Sequence, residues 1–334
     1  MNEPFDIRNA FEKISSGTRT IAVIGSMNAD YTVETETLPQ PGETVNGGPL
    51  QILAGGKSAN QASAAAHIGA QVKMLGALGT DDNADFLFST LAQAGVSMDS
   101  VARMEGTSGT TVITVDAHAE NTIVYSAGSN AKVNPEYVRS VQRTIQEAAV
   151  LGICFESPVE SVIEAARIAH RAGVKVLLNN SPFRPELPAE ILANIDILLV
   201  NEHEMSHMLH LAPPTGGDWA QLDWDGVAQR LCELGCDQAV VTLGSQGAYV
   251  LDANGFVEND GHSWRFLKAV KVKAVDTTGC GDAFMGAILA GLTADLSLYD
   301  SARLAVYVAG YAATGLGAQS SYGTSKQIVD LLVS

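Results

Sequence analysis

Aromatic residues are scarce in this chain: Phe, Trp and Tyr make up 6% of its 334 residues. With 32 glycines beside them, that scarcity fits an α/β enzyme rich in tight turns better than an all-β sandwich. Basic residues are also few: 20 Lys and Arg stand against 37 Asp and Glu, for a net charge of −17. A surface this acidic repels phosphate backbones and argues against nucleic acid and anionic membranes as partners. Small anions can still bind where backbone N–H groups and a metal supply local positive potential. No apolar run reaches the roughly 18 residues that span a bilayer. Residues 1–19 lack the apolar centre of a signal peptide, and acids such as Asp6 and Glu12 argue against a transit peptide. They read as a flexible extension on a cytoplasmic protein. The four cysteines, Cys154, Cys232, Cys236 and Cys280, show no C-x-x-C spacing and read as reduced thiols rather than bridges.

What is present is hydrophobic material, 46% of the chain, arranged in a rhythm. Ile21–Met27, Val72–Ala77, Val150–Cys154, Val174–Asn179, Ile195–Val200 and Gln238–Leu243 are Val-, Ile- and Leu-rich runs that predict buried strands. Helical patterns over Lys57–Gly69, Ala84–Ala94, Pro135–Glu147, Pro158–Ala172 and Trp224–Leu234 separate them. Such alternation predicts a mostly parallel sheet flanked by helices, with ligands outside the carboxyl ends of the strands. Two stretches, 31–50 and 107–126, break the rhythm with β-branched runs and turn residues. Each predicts an antiparallel pair, and together they would form a small β-sheet lid. Leu211–Asp223, with Pro213, Pro214, Gly216 and Gly217, reads as a surface loop.

The strongest motif is Val275-Asp-Thr-Thr-Gly-Cys-Gly-Asp-Ala-Phe284. The apolar stretch Val270–Val275 leads into a Gly-rich turn, and a small-residue helix follows. The unpaired N–H groups that open a helix point at an anion. Asp282 then stands where phosphoryl transfer needs a base. An ordinary acidic first turn is the plainer account of the same residue. The motif is not a dinucleotide fingerprint, because the third glycine would fall on Phe284.

Ala54-Gly-Gly-Lys-Ser-Ala-Asn-Gln61 tempts one towards a phosphate-binding P-loop, but the first glycine that motif requires is Gln51 here. A Gly-Gly turn opening a helix with Lys57 and Asn60 in its first turn instead supplies donors to a polyol; a simple helix cap is the alternative. Asn28 and Asp30 alternate onto one face at the end of the first strand. There an Asp can accept from two vicinal hydroxyls, although a turn pair is equally compatible. His203-Glu-Met-Ser-His207 satisfies H-E-x-x-H, so a zinc metallopeptidase is a remote alternative; the extended metzincin pattern fails at His210 and Pro213. Asn201 and Glu204, oxygen-bearing groups at a strand end, suit Mg²⁺ through water. Val241–Gly247 is a strand end with two glycines that could cradle a nucleotide. Cys280 opens a helix beside an acid and receives no role from its position alone.

Taken in order, these elements resemble the ribokinase branch of the PfkB carbohydrate kinases over residues 20 to 333. Gly55-Gly-Lys-Ser-Ala-Asn60 and Asp276-Thr-Thr-Gly-Cys-Gly-Asp282 carry the resemblance. Asn28-Ala-Asp30, Pro41-Gly-Glu-Thr44 and Glu156-Ser-Pro158 add to it. It implies one ribokinase-like domain over 20–334 with a lid over the sugar that makes a homodimer, and ATP-dependent phosphorylation of D-ribose at the 5-hydroxyl. It places the sugar among Asn28, Ala29, Asp30, Gly56, Lys57, Ser58, Ala59, Asn60 and Glu156, with Asp282 as general base. The nucleotide would lie along Asn201, Thr242, Leu243, Gly244, Ser245, Gln246 and Gly247, reaching Gly281 and Asp282. Gly279, Cys280 and Gly281 would form the anion hole. Asp276, Thr278, Ala312, Gly315, Gly317 and Ser321 would surround K⁺.

The chain departs from the family pattern in places. Ser58 replaces a usual glycine, Ser320 a common proline, and Val306 stands where Asn or His commonly meets adenine. The 211–223 loop is longer than usual. Within the fold, a nucleoside kinase or another sugar kinase is the main rival. It would need an apolar shelf for a base, for which Tyr125 is the nearest candidate in the lid. A sugar sensor without chemistry is disfavoured by the intact Asp282 and its Gly-rich turn.

Overall fold

The computed structural model describes residues 5–118, 120–256 and 261–333. The chain runs through α1 (Ile7–Ser16), β1 (Thr20–Ile24), β2 (Asn28–Glu34), β3 (Gln51–Gly55), α2 (Lys57–His67), β4 (Gln71–Leu78), α3 (Asp82–Gln93), β5 (Val96–Arg103), β6 (Gly109–Val115) and β7 (Asn121–Ser126). Then follow α4 (Pro135–Ser140), α5 (Gln142–Gln146), β8 (Val150–Ile153), α6 (Val159–Arg171), β9 (Lys175–Asn179), α7 (Ala189–Leu192), β10 (Ile197–Asn201) and α8 (Glu202–Met208). Last come α9 (Trp224–Glu233), β11 (Gln238–Thr242), β12 (Gly247–Asp252), β13 (Trp264–Lys268), α10 (Cys280–Thr293), α11 (Leu298–Ala312) and α12 (Ser325–Leu332).

Among the described residues the main sheet has nine strands in the order β13-β12-β11-β10-β9-β8-β1-β4-β5. It is parallel from β11 to β5 and ends in the antiparallel β12 and β13. The central strands are continuous apolar runs because helices cover both faces. β1 lies between β8 and β4. The chain therefore winds outward in one direction from β1 and returns to wind in the other from β8. Ligands in open α/β sheets bind at such a switch point.

The second sheet has the order β3-β2-β6-β7. β2 and β3 pair antiparallel, as do β6 and β7, while β2 and β6 pair parallel. The lid thus begins at Asn28, before residue 31, and its return strand Gln51–Gly55 falls after residue 50. One cross-strand row reads Leu53–Asp30–Thr111–Tyr125 and the next Ile52–Tyr31–Val112–Val124, so the two rows face opposite sides of the sheet. Ala119, in the turn between β6 and β7, lies outside the described residues.

Several expectations need correction. The amino-terminal segment is not a loose extension from end to end. Asp6 caps α1 by accepting from the N–H groups of Arg8 and Asn9, and Ile7, Ala10, Phe11 and Ile14 are buried. The spacing i, i+3, i+4, i+7 gives this short helix one apolar face. Residues 1–4 lie outside the described residues. The single helix expected over Pro135–Glu147 divides at Val141, whose backbone leaves the helical region (φ −104°, ψ 11°). Leu211–Asp223 is not merely a surface loop: Trp219 is buried, and its carbonyl accepts from Trp224 Nε1 at 2.9 Å.

Candidate active site

The site is assembled where the amino ends of α2 and α10 meet beneath the lid. Their approach depends on small residues. A Cβ at Gly286 of α10 would stand 2.5 Å from the Gln61 carbonyl and 3.0 Å from the Ala64 methyl of α2. Gly56, which precedes α2 at φ 91°, has no room for a side chain: a Cβ would lie 2.8 Å from the Ser26 carbonyl. Gly279, which precedes α10 at φ 74°, is held equally tightly, 2.5 Å from the Ala318 methyl and 2.7 Å from the Tyr322 hydroxyl. A left-handed backbone and close contact together demand glycine at both turns.

At this junction Asn60 Nδ2 donates to Asp282 Oδ2 at 2.9 Å, and Gln61 Nε2 donates to Asp282 Oδ1 at 3.1 Å. Burial pushes the Asp282 carboxyl up, against the opposing pull of Lys57 and of these two donors, and its pKa settles at about 6. The helix field expected to favour ionisation is therefore outweighed by loss of water. Lys57 would be lowered by its own burial. Asp282, Glu156, Cys154 and Glu204 reverse that and hold its pKa above the ordinary value.

The switch point supplies the other polar groups. Glu156 Oε2 accepts from the Lys57 N–H at 2.9 Å and from the Ser26 hydroxyl, joining the carboxyl ends of β8 and β1 to α2. Asp30 Oδ1 accepts from the Thr111 hydroxyl of the neighbouring lid strand. Burial raises Asp30 to about 6, the Thr111 bond works against this, and Glu156 adds to it. Asn28, Asp30, Lys57, Asn60, Glu156 and Asp282 thus share one polar basin. Ala29, Ser58 and Ala59 are different: all three are fully buried. Ser58 Oγ is bound to the Ile24 carbonyl at 3.1 Å and contacts Cys154 Sγ at 3.3 Å. Their side chains belong to the packing beneath the basin.

A cavity of about 570 Å³ lies on the other side of Asp282. It is lined by Thr242, Gly244, Ser245 and Gly247 at the end of β11, by Cys280, Gly281 and Phe284 of α10, and by Val306 of α11. That volume is in the range of cofactor sites. Asn201 is the register partner of Thr242 at the strand ends. Leu243 is buried in the core, and Gln246 turns outward, donating to the Gly217 carbonyl at 3.1 Å. Neither side chain lines the cavity. Another depression, of about 730 Å³, lies at the amino ends of β9, β10 and β11 beside Lys175, Asp196 and Gln238, the end of a parallel sheet that does not carry its ligands.

Two further groups flank the cavity. Asn201 and Glu204 form a reciprocal helix cap, Asn201 Oδ1 accepting from the Glu204 N–H and Glu204 Oε2 from the Asn201 N–H, each at 2.8 Å. Burial raises the Glu204 carboxyl, with the Asn201 N–H and Lys57 opposing it. Asp276 joins two loops: it accepts from the Thr278 N–H at 2.9 Å and the Gly317 N–H at 2.8 Å. Burial would raise Asp276, but these and neighbouring donors prevail and keep its pKa below the ordinary value.

The model of the "pfkB family carbohydrate kinase" matches residues 18–325. The chain belongs to the pfkB family of carbohydrate kinases. It is 37% identical over 310 residues to a ribokinase of Schizosaccharomyces pombe, covering 90% of this chain and 94% of that one. With a ribokinase of Haemophilus influenzae it shares 33% over 316 residues, 94% and 98% of the two chains. The structure of an Arabidopsis thaliana ribokinase complexed with ribose and ATP superposes with a TM-score of 0.83 at 29% identity, covering 94% of this chain and 98% of that one.

In this carbohydrate kinase the H-E-x-x-H match has another explanation. Glu204 is committed to the cap, and His203 and His207 pack against different rings, Trp219 and Phe183, each at 6.0 Å between centroids. The Cys280 thiol is raised to about 11 by burial and by Asp276 and Asp282, the reverse of what a helix start alone would do. Its N–H donates to the Thr277 carbonyl at 3.2 Å, so that donor is already paired within the turn. Sequence reasoning missed Asn130, Gln61 and Gln319. Asn130, fully buried, donates to Asn28 Oδ1 at 2.8 Å and its Oδ1 accepts from the Met27 N–H at 3.1 Å. The signal for it was Gly128-Ser-Asn130, a tight turn directly after a lid strand.

Proposed function

We propose that this kinase transfers the γ-phosphoryl group of ATP to the 5-hydroxyl of D-ribose. The observation that carries the reading is the position of Asp282, between a polar basin under the lid and the cavity at the end of β11. Asn28, Asp30, Lys57, Asn60 and Glu156 offer carboxylates, amides and one ammonium, which suit several hydroxyls of a small polyol. Asp282 accepts the proton of the attacking hydroxyl while the N–H groups of Gly281 and Asp282 hold charge on the phosphoryl oxygens. Phosphoryl transfer through a loose transition state is chiefly positioning and electrostatics, so these residues suffice without covalent chemistry. The apolar Val306 offers the base contact area and no side-chain hydrogen bond.

Two ions fit the residues present. Glu204, with Oε1 left over from the cap, and Asn201 would hold the water shell of Mg²⁺, which when bound neutralises charge on the phosphates. The ionised Asp276 and the oxygen donors of Thr278, Ala312, Gly315, Gly317 and Ser321 would hold K⁺. There the chain itself ties the two loops through Asp276 and shapes the turn before α10. Higher rates in potassium than in sodium are expected, with that difference lost in Asp276→Ala; equal rates in both salts would remove the site. The sugar is tested by ADP release over a panel of pentoses, hexoses and nucleosides, with ³¹P NMR to locate the phosphate. Ribose should give the highest kcat/KM and a 5-phosphate. A nucleoside or sugar acid that clearly outcompetes it would overturn the substrate.

A further inference from the structure

Behind the base, side-chain amides form a chain that reaches the carboxyl-terminal loop. Gln319 Nε2 donates to Asn60 Oδ1 at 3.1 Å, and Asn60 Nδ2 donates in turn to Asp282 Oδ2 at 2.9 Å. Gln61 holds the other carboxylate oxygen. All four residues are buried. Chemistry fixes the direction of these bonds. A carboxylate accepts and cannot donate, so Asn60 must turn its NH₂ to Asp282. Its carbonyl then faces Gln319, which must donate.

The carbonyl oxygens of Gln61 and Gln319 have no hydrogen-bond partner among the described residues. Buried polar atoms are ordinarily paired, so both amides are placed here for their N–H groups. Gln319 begins the short 3₁₀ turn Gln319–Ser321. That turn belongs to the loop clamped by Asp276 at Gly317, and the next residue, Tyr322, donates its hydroxyl to the Gly279 carbonyl at 3.0 Å. The loop therefore touches both the turn before α10 and the base.

We propose that Gln319 is a positioning residue: it locks the Asn60 amide in one orientation and so makes the 315–321 loop a control on the basicity of Asp282. The proposal rests on the reading of Asp282 as the base. Without Gln319 the Asn60 amide is free to rotate and present its carbonyl. Asp282 then loses a donor, and its protonated form, which can donate to that carbonyl, gains. The other groups facing Asp282 are Lys57, which favours its charge, Glu156, which opposes it, and Cys280 and Tyr322, both raised and neutral at working pH. None of these touches Gln319 through a hydrogen bond.

The test is the pH profile of kcat/KM for Gln319→Met and Gln319→Leu, neutral replacements without a donor, with Asp282→Asn assayed beside them. The acid limb should move up by about one pH unit, from about 6 to about 7, and kcat/KM at pH 7 should fall about twofold, as the ionised fraction of the base drops. Calorimetric ATP affinity should stay within about twofold, because the far side of the cavity is untouched. In the unsubstituted protein the Gln319 side-chain amide resonances should follow the Asp282 titration, although the two residues do not touch; this reading does not depend on a variant folding. An acid limb unmoved in both variants, or flat Gln319 resonances, would overturn the proposal while leaving Asp282 as the base. Asp282→Asn with near wild-type kcat would remove the base itself, and the relay with it.

Discussion

Asp282 carries two conflicting demands in one side chain. Its pKa of about 6 comes from burial opposed by Lys57, Asn60 and Gln61. At neutral pH it is mostly ionised, and it is a better proton acceptor than an exposed Asp. kcat/KM should therefore fall as pH drops through about 6, with the acid limb read from initial rates. Asp282→Asn keeps the shape and cannot take a proton, so kcat should fall by about 10²–10⁴. The same shift has a stability consequence. A carboxyl whose folded pKa exceeds its unfolded value favours the fold while protonated; that contribution is full below about pH 4 and lost as pH rises through about 6. At neutral pH the buried charge is a net cost, but Asp282→Asn turns an NH₂ toward the Asn60 or Gln61 donor and leaves one of them unpaired, so its melting temperature should stay within a few degrees of wild type. A variant within tenfold of wild-type kcat would remove Asp282 as the base. That Asp282 opens a helix after a Gly-rich turn was legible in the sequence. Its basicity was not. Burial raises it, and the partners that enclose the carboxyl, Asn60 and Gln61 of α2, lie more than 200 residues away in sequence.

At the scale of elements, legibility followed hydrophobic pattern. The six apolar runs became β1, β4, β8, β9, β10 and β11 because strands covered on both faces need no polar alternation. β5, β12 and β13 went unread. They lie at or next to the sheet edges, and stretches such as Ser97–Arg103 mix polar and apolar residues as half-exposed strands do. α1 was missed for a different reason: its four core residues are spaced among Arg8, Asn9, Glu12 and Lys13, which read as polar tail. Yet Phe11 is 4% exposed and packs in the same core as α10. Phe11→Ala should lower unfolding free energy by about 3 kcal/mol, seen as an earlier urea midpoint, with kcat unchanged because α1 does not reach the site. An unaltered midpoint would show that α1 adds little to the fold.

For the molecule as a whole, the lid decides what else binds. One face carries Asp30 and Thr111, but its rows also expose apolar residues beyond what one chain covers. Val112 is 54% and Val124 67% exposed on one face, with Ile52 in the same row at 46%. On the other face Ile123 is 57% and Tyr125 44% exposed. Val33 and Val45 are half-buried instead, since the 35–50 segment folds back on β2 through the Thr35–Gly47 bridge. Among the described residues the outer strands β3 and β7 also leave edges without a strand partner in this sheet. Exposed apolar rows on a projecting sheet with open edges are what a second copy of the same lid would cover, since like patches meet across a two-fold axis. The net charge of −17 opposes association over most of the surface, which confines self-contact to an uncharged patch of this kind. We therefore expect a homodimer through the lid. Sedimentation velocity at micromolar concentration should give the dimer mass for wild type, and Val112→Asp with Val124→Asp should shift it to monomer, by placing charges where apolar rows would meet. The variant should keep its melting temperature within a few degrees, because both positions are exposed in the single chain. A wild-type monomer at that concentration would remove the dimer and leave the role proposed for Asp282 untouched.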